Sequence, residues 1–249
     1  MIEEGLLDRY GTPDAAFAIH VSPRDPSGEV FTRPGTLMAG AGVFRIIIKG
    51  RAGHPAESHH ALDPILIASE VVLALQTYVT RRVKAFEPAV VTVTAIQAGS
   101  HEVGAIPETA TLTGTIRAVL EETRVRLFSA VRELAVNIAS AHGAEADVRV
   151  DPGYPPVVND PDVVETIGEV SRGLLGKDHF RLLPTPIMPS EDFSYILQRV
   201  PGAMAFLGAR PDGQDTVADV HSPQMILNED AMAVGVALHA AVALRLLAL

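Results

Sequence analysis

Cysteine is absent from the 249 residues. That excludes disulfide frameworks, thiolate nucleophiles and Cys-ligated zinc, and leaves histidine and carboxylate as the side chains able to hold a metal. Positive charge is scarce: 20 Lys and Arg against 30 Asp and Glu leave a net charge of -10. The electrostatic footprint that a phosphate backbone demands is missing, so nucleic acid is not expected as a partner. The opening MIEEGLLDRYG carries acid where a signal peptide has a basic region, and no apolar stretch follows; a cytoplasmic location is expected. No clean membrane-length apolar run occurs either. Ala231 to Leu249 comes nearest, but His239 and Arg245 interrupt it and Asn228-Glu229-Asp230 precede it as a helix cap with acidic residues at the positive end of the dipole. It is expected to be a buried terminal helix, with no membrane partner. Also absent are a Walker loop, a dinucleotide fingerprint and a Gly-x-Ser-x-Gly elbow, so phosphate cradling and serine acyl transfer have no support.

What is present is ample material for a core, at 47% apolar residues. Its periodicity predicts an α/β chain in three parts, 1–42, 43–152 and 153–249. The middle part begins with a strand at Val43 to Lys49. Asp63-Pro64 then caps a helix whose apolar positions Ile65, Ala68, Val72, Leu75 and Val79 recur at helical spacing to about Arg82. Two Val- and Thr-rich stretches, Val90 to Gln97 and Thr109 to Ala118, read as paired strands. A helix over Glu121 to His142 stops at Gly143, and Glu145 to Val150 is a last strand. The order β-α-β-β-α-β is that of two split βαβ units, the ferredoxin-like sandwich. On either side lie pieces too small to be domains: a helix over Met1 to Leu7 with the strand Ala15 to His20 before it, and two helices around the strand Ala203 to Leu207 after it, the first capped by Asn159-Asp160-Pro161 and ending at Gly176.

Several residues could carry chemistry. His20 ends an apolar strand, where ligands of open α/β sheets sit, although a hydrogen-bonded turn histidine is the commoner case. His221, in Asp-Val-His-Ser-Pro, has the same two readings. His54 lies in Gly-Arg-Ala-Gly-His-Pro, a loop whose glycines permit close backbone approach and whose imidazole is able to donate to an oxyanion; a surface loop histidine also accounts for it. His142 in a last helical turn is explained by the dipole. His59 and His60 read as solvated, and His101, His179 and His239 have no second feature. In Ser190-Glu191-Asp192 the carboxylates suit an acidic site wall, while capping of a helix by Ser190 is the simpler account. Glu3-Glu4 reads as a solvated helix face.

The ordered set AAFAIHVSP, GRAGHPAESHHALDPI, AIPETATLTGTIR, SEDFS, PGAMAFLG and HSPQ resembles the metal-dependent amidohydrolases and peptidases that include hippurate hydrolase, N-acyl-amino-acid amidohydrolases, aminoacylase and carboxypeptidase G. The hippurate hydrolase branch is the nearest in pattern. The resemblance implies a zinc-peptidase-like catalytic domain interrupted by a ferredoxin-like lid and dimerisation domain. It implies a divalent metal, Zn or Mn, with up to two ions in a complete enzyme, and His20 and His221 among the ligands. It makes His54 the lid histidine that reaches the active site of the partner subunit in a homodimer. Arg117, in Gly-Thr-Ile-Arg, keeps the family residue and either touches substrate or supports its strand; Glu191 is a second substrate-binding candidate.

The sequence also departs from that pattern. Gly104-Ala105-Ile106-Pro107 stands where the family has an Asn before its Ile-Pro. A Cys- and His-bearing metal motif and a Pro-Ala-Glu-Glu motif, which in the family precede the segment like Met1 to Leu7, are missing, and Glu3-Glu4 matches a later Ile-Glu-Glu-Gly. The chain is therefore expected to be the C-terminal part of an enzyme cleaving N-acyl amino acids, without its general-base Glu and inactive alone. The alternatives are a catalytically dead dimerisation or binding module, and a dipeptidase of the same family.

Overall fold

The computed structural model describes residues 2–100, 104–214 and 216–248. In chain order it has α1 (Leu6–Tyr10), β1 (Ala16–Pro26), β2 (Val30–Thr32), β3 (Gly35–Met38), β4 (Gly40–Lys49), α2 (Pro64–Arg82), β5 (Ala89–Ala98), β6 (Thr109–Ala118), α3 (Glu121–Ala141) and β7 (Glu145–Asp151). There follow β8 (Val157–Asn159), α4 (Pro161–Leu175), β9 (Phe180–Leu182), α5 (Ser194–Leu197), β10 (Gly202–Arg210) and α6 (Ala231–Leu247). These elements form two compact units. One comprises Met1–Met38, Val157–Ile187 and Glu191–Leu249; the other comprises Ala39–Pro156 and Met188–Ser190.

The second unit is a four-stranded antiparallel sheet in the order β5-β6-β4-β7, with α2 and α3 sharing its apolar core. Strand β4 alternates buried and outward residues, so Phe44, Ile46 and Ile48 all enter that core. The Asp63 side chain accepts the amide of Ile65 and Pro64 starts α2. Of the expected stripe of α2, Ala68 and Leu75 are buried and Val72 and Val79 pack against the core beside Ile67 and Val71, whereas Ile65, in the first turn, is exposed. At the other end of α3, Gly143 takes φ 75°, the left-handed turn expected after the helix.

Arg124 closes this unit. Its guanidinium, buried and stacked 4.9 Å over Phe128, is held by both carboxylate oxygens of Glu121 at 2.7 Å, and it donates to the carbonyls of Ala41 and Pro152. A second charged group, Glu87, joins the loop after α2 to α3 through Lys84, Thr123 and Arg126.

The first unit holds a four-stranded sheet in the order β1-β10-β2-β9 and a short ladder of β3 with β8. Strand β10 is apolar on both faces and buried along nearly its whole length, as a central strand must be. Ala203, Ala205 and Leu207 face the core of α4 and α6, whereas Met204 and Phe206 pack with Phe31, Leu37 and Val157. Helix α4 starts where expected, with Asp160 accepting the amides of Asp162 and Val163. At the centre lies Asn159, 1% exposed. Its amide nitrogen donates to Thr32 Oγ1, the Arg33 carbonyl and the Met204 carbonyl at 2.9–3.0 Å, and its oxygen accepts the Met204 amide at 2.9 Å.

Three expectations are corrected. The first helix covers Leu6–Tyr10, with turns before it from residue 2, because Gly5 at φ 83° precedes the helix; Met1 lies outside the described residues, as does His101. The short strands β2, β3, β8 and β9 were not expected. The terminal helix α6 is not buried all round: Leu238 and Val242 are inside, while Met232, Val236, Leu244 and Leu247 are exposed.

Replacing Asn159 by Ala removes the partners of the Arg33 carbonyl and the Met204 amide, and is expected to cost about 2–4 kcal/mol in chemical denaturation. The Lys84 ammonium and then the Thr123 hydroxyl hold the Glu87 carboxyl below its usual range. A carboxylate depressed in the folded state stabilises above its unfolded-state value and loses that contribution as pH falls through the folded value. The melting temperature of Glu87→Gln is therefore expected to lie below that of the native chain at neutral pH, with the difference closing in acid.

Candidate metal and substrate site

His20 lies on β1, beside Phe206 of the parallel strand β10, with its ring 5.8 Å from that phenyl ring. The imidazole is half-buried and its Nδ1 lies 2.7 Å from the carbonyl oxygen of Val21. A carbonyl only accepts, so Nδ1 carries the proton, and in the neutral ring Nε2 keeps a lone pair. This is how metal-binding histidines are oriented: a hydrogen bond at one ring nitrogen frees the other as ligand.

His221 is exposed, in the turn between Asp219 and Pro223. Its φ of 66° is the one positive value among the described non-glycine residues, a conformation that costs on the order of 1 kcal/mol or more and needs support from its surroundings. That support comes from Asp219. Its carboxylate accepts the Val220 amide, its carbonyl accepts the Ser222 amide, and its second oxygen pairs with Arg24 of β1 at 2.8 Å. The strand that carries His20 thus also tethers the turn that carries His221. Asp219 and Arg24 were not singled out by sequence reasoning. Proximity to the His-Ser-Pro motif was the one available signal for Asp219, and Arg24 had none.

His54 is exposed and precedes two short helical turns within Pro55–His60, separated by a kink at Glu57. Its Nδ1 accepts the amide of Ala56 at 3.2 Å, so the neutral ring carries its proton on Nε2, the opposite tautomer to that of His20. His54 is therefore a hydrogen-bond donor outward. Its loop is held by backbone pairs of Arg51 with Leu62 and of Gly53 with Ile106. This brings the loop against the Ala105-Ile106-Pro107 stretch, an adjacency the sequence did not reveal. Among the remaining histidines, His142 faces Glu70 at 2.7 Å and His239 packs 5.0 Å from Phe17, so each has a structural partner.

Arg117 projects from β6 and donates to Ser190 Oγ at 2.9 Å and to the Met188 carbonyl. Ser190 is thus the partner of Arg117 and not a helix cap, a correction to the expectation. Helix α5 starts four residues later and has no side-chain cap. Glu191, half-buried, accepts the Asp192 amide on one carboxylate oxygen, and its carbonyl accepts from Ser194.

Tested as a metal site, the donor chemistry fits in part. His20 offers a free Nε2, yet no group of three or more His, Asp or Glu side chains among the described residues is placed to hold an ion.

Comparison with known proteins identifies the class. Residues 1–245 match the model of peptidase family M20/M25/M40, and the chain belongs to that family. It is 38% identical over 251 aligned residues to IAA-amino acid hydrolase ILR1-like 2 of Arabidopsis thaliana, covering 99% of this chain and 55% of that protein. It is 34% identical to the putative amidohydrolase YhaA of Bacillus subtilis, covering 93% and 57%. Among solved structures it resembles a putative aminohydrolase from methicillin-resistant Staphylococcus aureus, with TM-score 0.86, 26% identity and coverage of 98% and 61%. It also resembles the Bacillus subtilis protein YXEP, described as a dinuclear metal binding peptidase of the M20 family, with TM-score 0.75, 29% identity and coverage of 97% and 59%. The chain thus spans a little over half the length of these relatives.

Arg117→Met is expected to leave the sheet intact while the amides of Ser190 to Asp192 exchange hydrogen faster by tenfold or more. Unchanged exchange there would show that the guanidinium does not order this loop.

Proposed function

We propose that this chain supplies part of a metal-dependent amidohydrolase that cleaves the amide bond of N-acyl amino acids. The observation that carries the reading is the 2.7 Å approach of His20 Nδ1 to the Val21 carbonyl, which in the neutral ring leaves Nε2 free on a family-matched strand. The names of the relatives, among them IAA-amino acid hydrolases and an N-acetyldiaminopimelate deacetylase, support this substrate class. His20 and His221 would hold a divalent metal, Zn or Mn, with up to two ions in a complete enzyme. When bound, such a metal polarises the amide carbonyl and acidifies water. The remaining ligands and the general-base Glu belong to the part of the relatives that these residues do not span.

The Ala39–Pro156 unit acts as the inserted ferredoxin-like lid, its βαββαβ order and β5-β6-β4-β7 sheet supporting that assignment. His54 Nε2–H donates to the scissile carbonyl oxygen as charge develops there, from the lid of the partner subunit. The open edge of β5, with Leu66 and Leu73 exposed on α2, supports a homodimer through this unit. Arg117 acts as a positioning residue for the 188–190 loop, and Glu191 lines the substrate site. No helix among the described residues is long and apolar enough to cross a membrane.

A second reading is a binding or dimerisation module without catalysis, acting through the Ala39–Pro156 unit. A dipeptidase would use the same residues, and a panel of N-acyl amino acids and dipeptides separates it from an acylase.

Titration of the purified chain with Zn or Mn is expected to show weak binding, reduced about tenfold or more by His20→Ala and by His221→Ala. Affinity unchanged in both variants would remove these histidines from the site. The 249 residues alone are expected to turn over no N-acyl amino acid; turnover abolished by His221→Ala would show that they form a working centre unaided.

A further inference from the structure

Two turns of the same sequence pattern lie side by side at the carboxyl end of the parallel pair β1 and β10. Pro26-Ser27-Gly28-Glu29 and Pro211-Asp212-Gly213-Gln214 each place glycine third, and Gly28 and Gly213 take φ 81° and 71°, the left-handed conformation such a turn requires. Each is closed by its own backbone bond, from the Glu29 amide to the Pro26 carbonyl and from the Gln214 amide to the Pro211 carbonyl. The first is also pinned to β10: the Gly28 amide donates to the Gly208 carbonyl, and the Gly208 amide to the Glu29 carbonyl. A side chain at position 208 would collide with the Pro26 carbonyl, so glycine is what lets the turn lie this close. In register, Pro26 stands opposite Arg210.

Between the turns is a pocket of about 250 Å³ whose lining includes Ser27, Arg210, Asp212 and Gln214. Clefts that take drug-sized ligands measure ~300–1,000 Å³ and are lined mainly by apolar groups. This one is smaller and polar, which suits a small polar molecule. Its two charged residues are of opposite sign, Arg210 half-buried and Asp212 exposed. They do not pair with each other, and among the described residues neither side chain is engaged by a hydrogen bond or ion pair. The same holds for the Ser27 hydroxyl and the Gln214 side-chain amide.

Opposite charges that share a small pocket without neutralising one another constrain its ligand. A simple anion meets a like charge at Asp212, and a simple cation meets one at Arg210. A zwitterion answers both. Its carboxylate accepts the fork of a guanidinium, its ammonium donates to a carboxylate, and the hydroxyl and amide serve the positions that remain. The place agrees with the chemistry, since ligands of open α/β sheets sit outside the carboxyl ends of parallel strands. We propose that Arg210 and Asp212 form a binding site for a free α-amino acid with a small or medium side chain. The row of His20 and Phe206 lies four residues back along β10, roughly 13 Å at ~3.3 Å per residue, so an amino acid seated at Arg210 does not reach His20. An N-acyl amino acid has a neutral amide where this site receives an ammonium, so the free amino acid binds and its acylated form does not. The ligand is then the amino acid that hydrolysis releases, a link that rests on the Proposed function; the site itself does not.

The test is equilibrium dialysis of the purified chain against radiolabelled glycine, L-alanine and L-leucine, with EDTA present because a bound metal would itself chelate amino acids. Saturable, stoichiometric binding of at least one of these amino acids is expected, weakened about tenfold or more by Arg210→Gln and by Asp212→Asn. Neither side chain is bonded within the fold, and unchanged melting temperatures check that both variants are folded. On the native chain, propionate, ethylamine and the N-acetyl derivative of the bound amino acid each lack one of the two charges, and are expected to compete about tenfold less well or worse. Absence of saturable binding for all of the amino acids would overturn the proposal. So would competition by propionate or ethylamine equal to that of the amino acid itself, or an affinity unchanged in both variants. Amino acid binding in a chain whose His20 and His221 show no affinity for Zn or Mn leaves this site standing and removes the functional reading; the opposite pair of results removes this site alone.

Discussion

The first unit depends on the side chain of Asn159. Three backbone strands that are distant in sequence, β2, β8 and β10, meet around this one amide, which donates to Thr32, Arg33 and Met204 and accepts from Met204. Such short strands cannot hold register through ladder hydrogen bonds alone: β2 and β8 have three residues each. A fully satisfied polar group in a low-dielectric interior supplies the missing specificity, because any shift of register would strand its donors. Thr32 reinforces it by donating to the Met204 carbonyl at 2.6 Å. The apolar residues of β10 then pack on either side of a frame whose register is already determined, and β1 pairs with that strand to carry His20.

Local backbone chemistry assigns the candidate site residues different capacities. The same side chain type appears as lone-pair donor at His20 and as hydrogen-bond donor at His54, and the difference is made entirely by main-chain atoms. The Val21 carbonyl claims the proton of one ring, and the Ala56 amide claims the lone pair of the other. The strain at His221 is likewise a backbone matter, with Asp219 converting a turn into a fixed platform and Arg24 linking that platform to the strand. That ion pair is exposed on both sides, so it orients more than it stabilises.

Much of the architecture was legible from residues that satisfy helix ends and strand faces. Asp63-Pro64 and Asp160-Pro161 mark helix starts because a carboxylate and an N–H-free residue suit unsatisfied amides. The strands β4 to β7 were visible through their length and β-branched content. The four strands of three or four residues were not, since so short a run has no periodicity. Ser190 was misread because its hydroxyl is claimed by Arg117, seventy-three positions earlier. Along α2 the helical spacing identifies Ala68, Val72, Leu75 and Val79 on the core side, and it fails only at Ile65, which projects outward in the first turn. At the site, motifs singled out His20, His54 and His221, but ring tautomers and the φ of His221 depend on neighbours that no motif encodes. For α6, apolar composition implied burial, and the structure divides the helix into a buried and an uncovered half.

Arg124 bears on how the chain closes around the second unit. One guanidinium grips the carbonyl of Ala41, just inside the point where the chain enters the second unit, and that of Pro152, just before it leaves. The entry and exit strands of the module are therefore neighbours, and the Ala41 amide returns a bond to the Tyr154 carbonyl. For the surrounding polypeptide, a folded insert with touching ends is equivalent to a tight turn, adding little of the closure entropy that an unstructured loop of comparable length would impose. A module clasped in this way presents its host chain with two ends that already lie side by side.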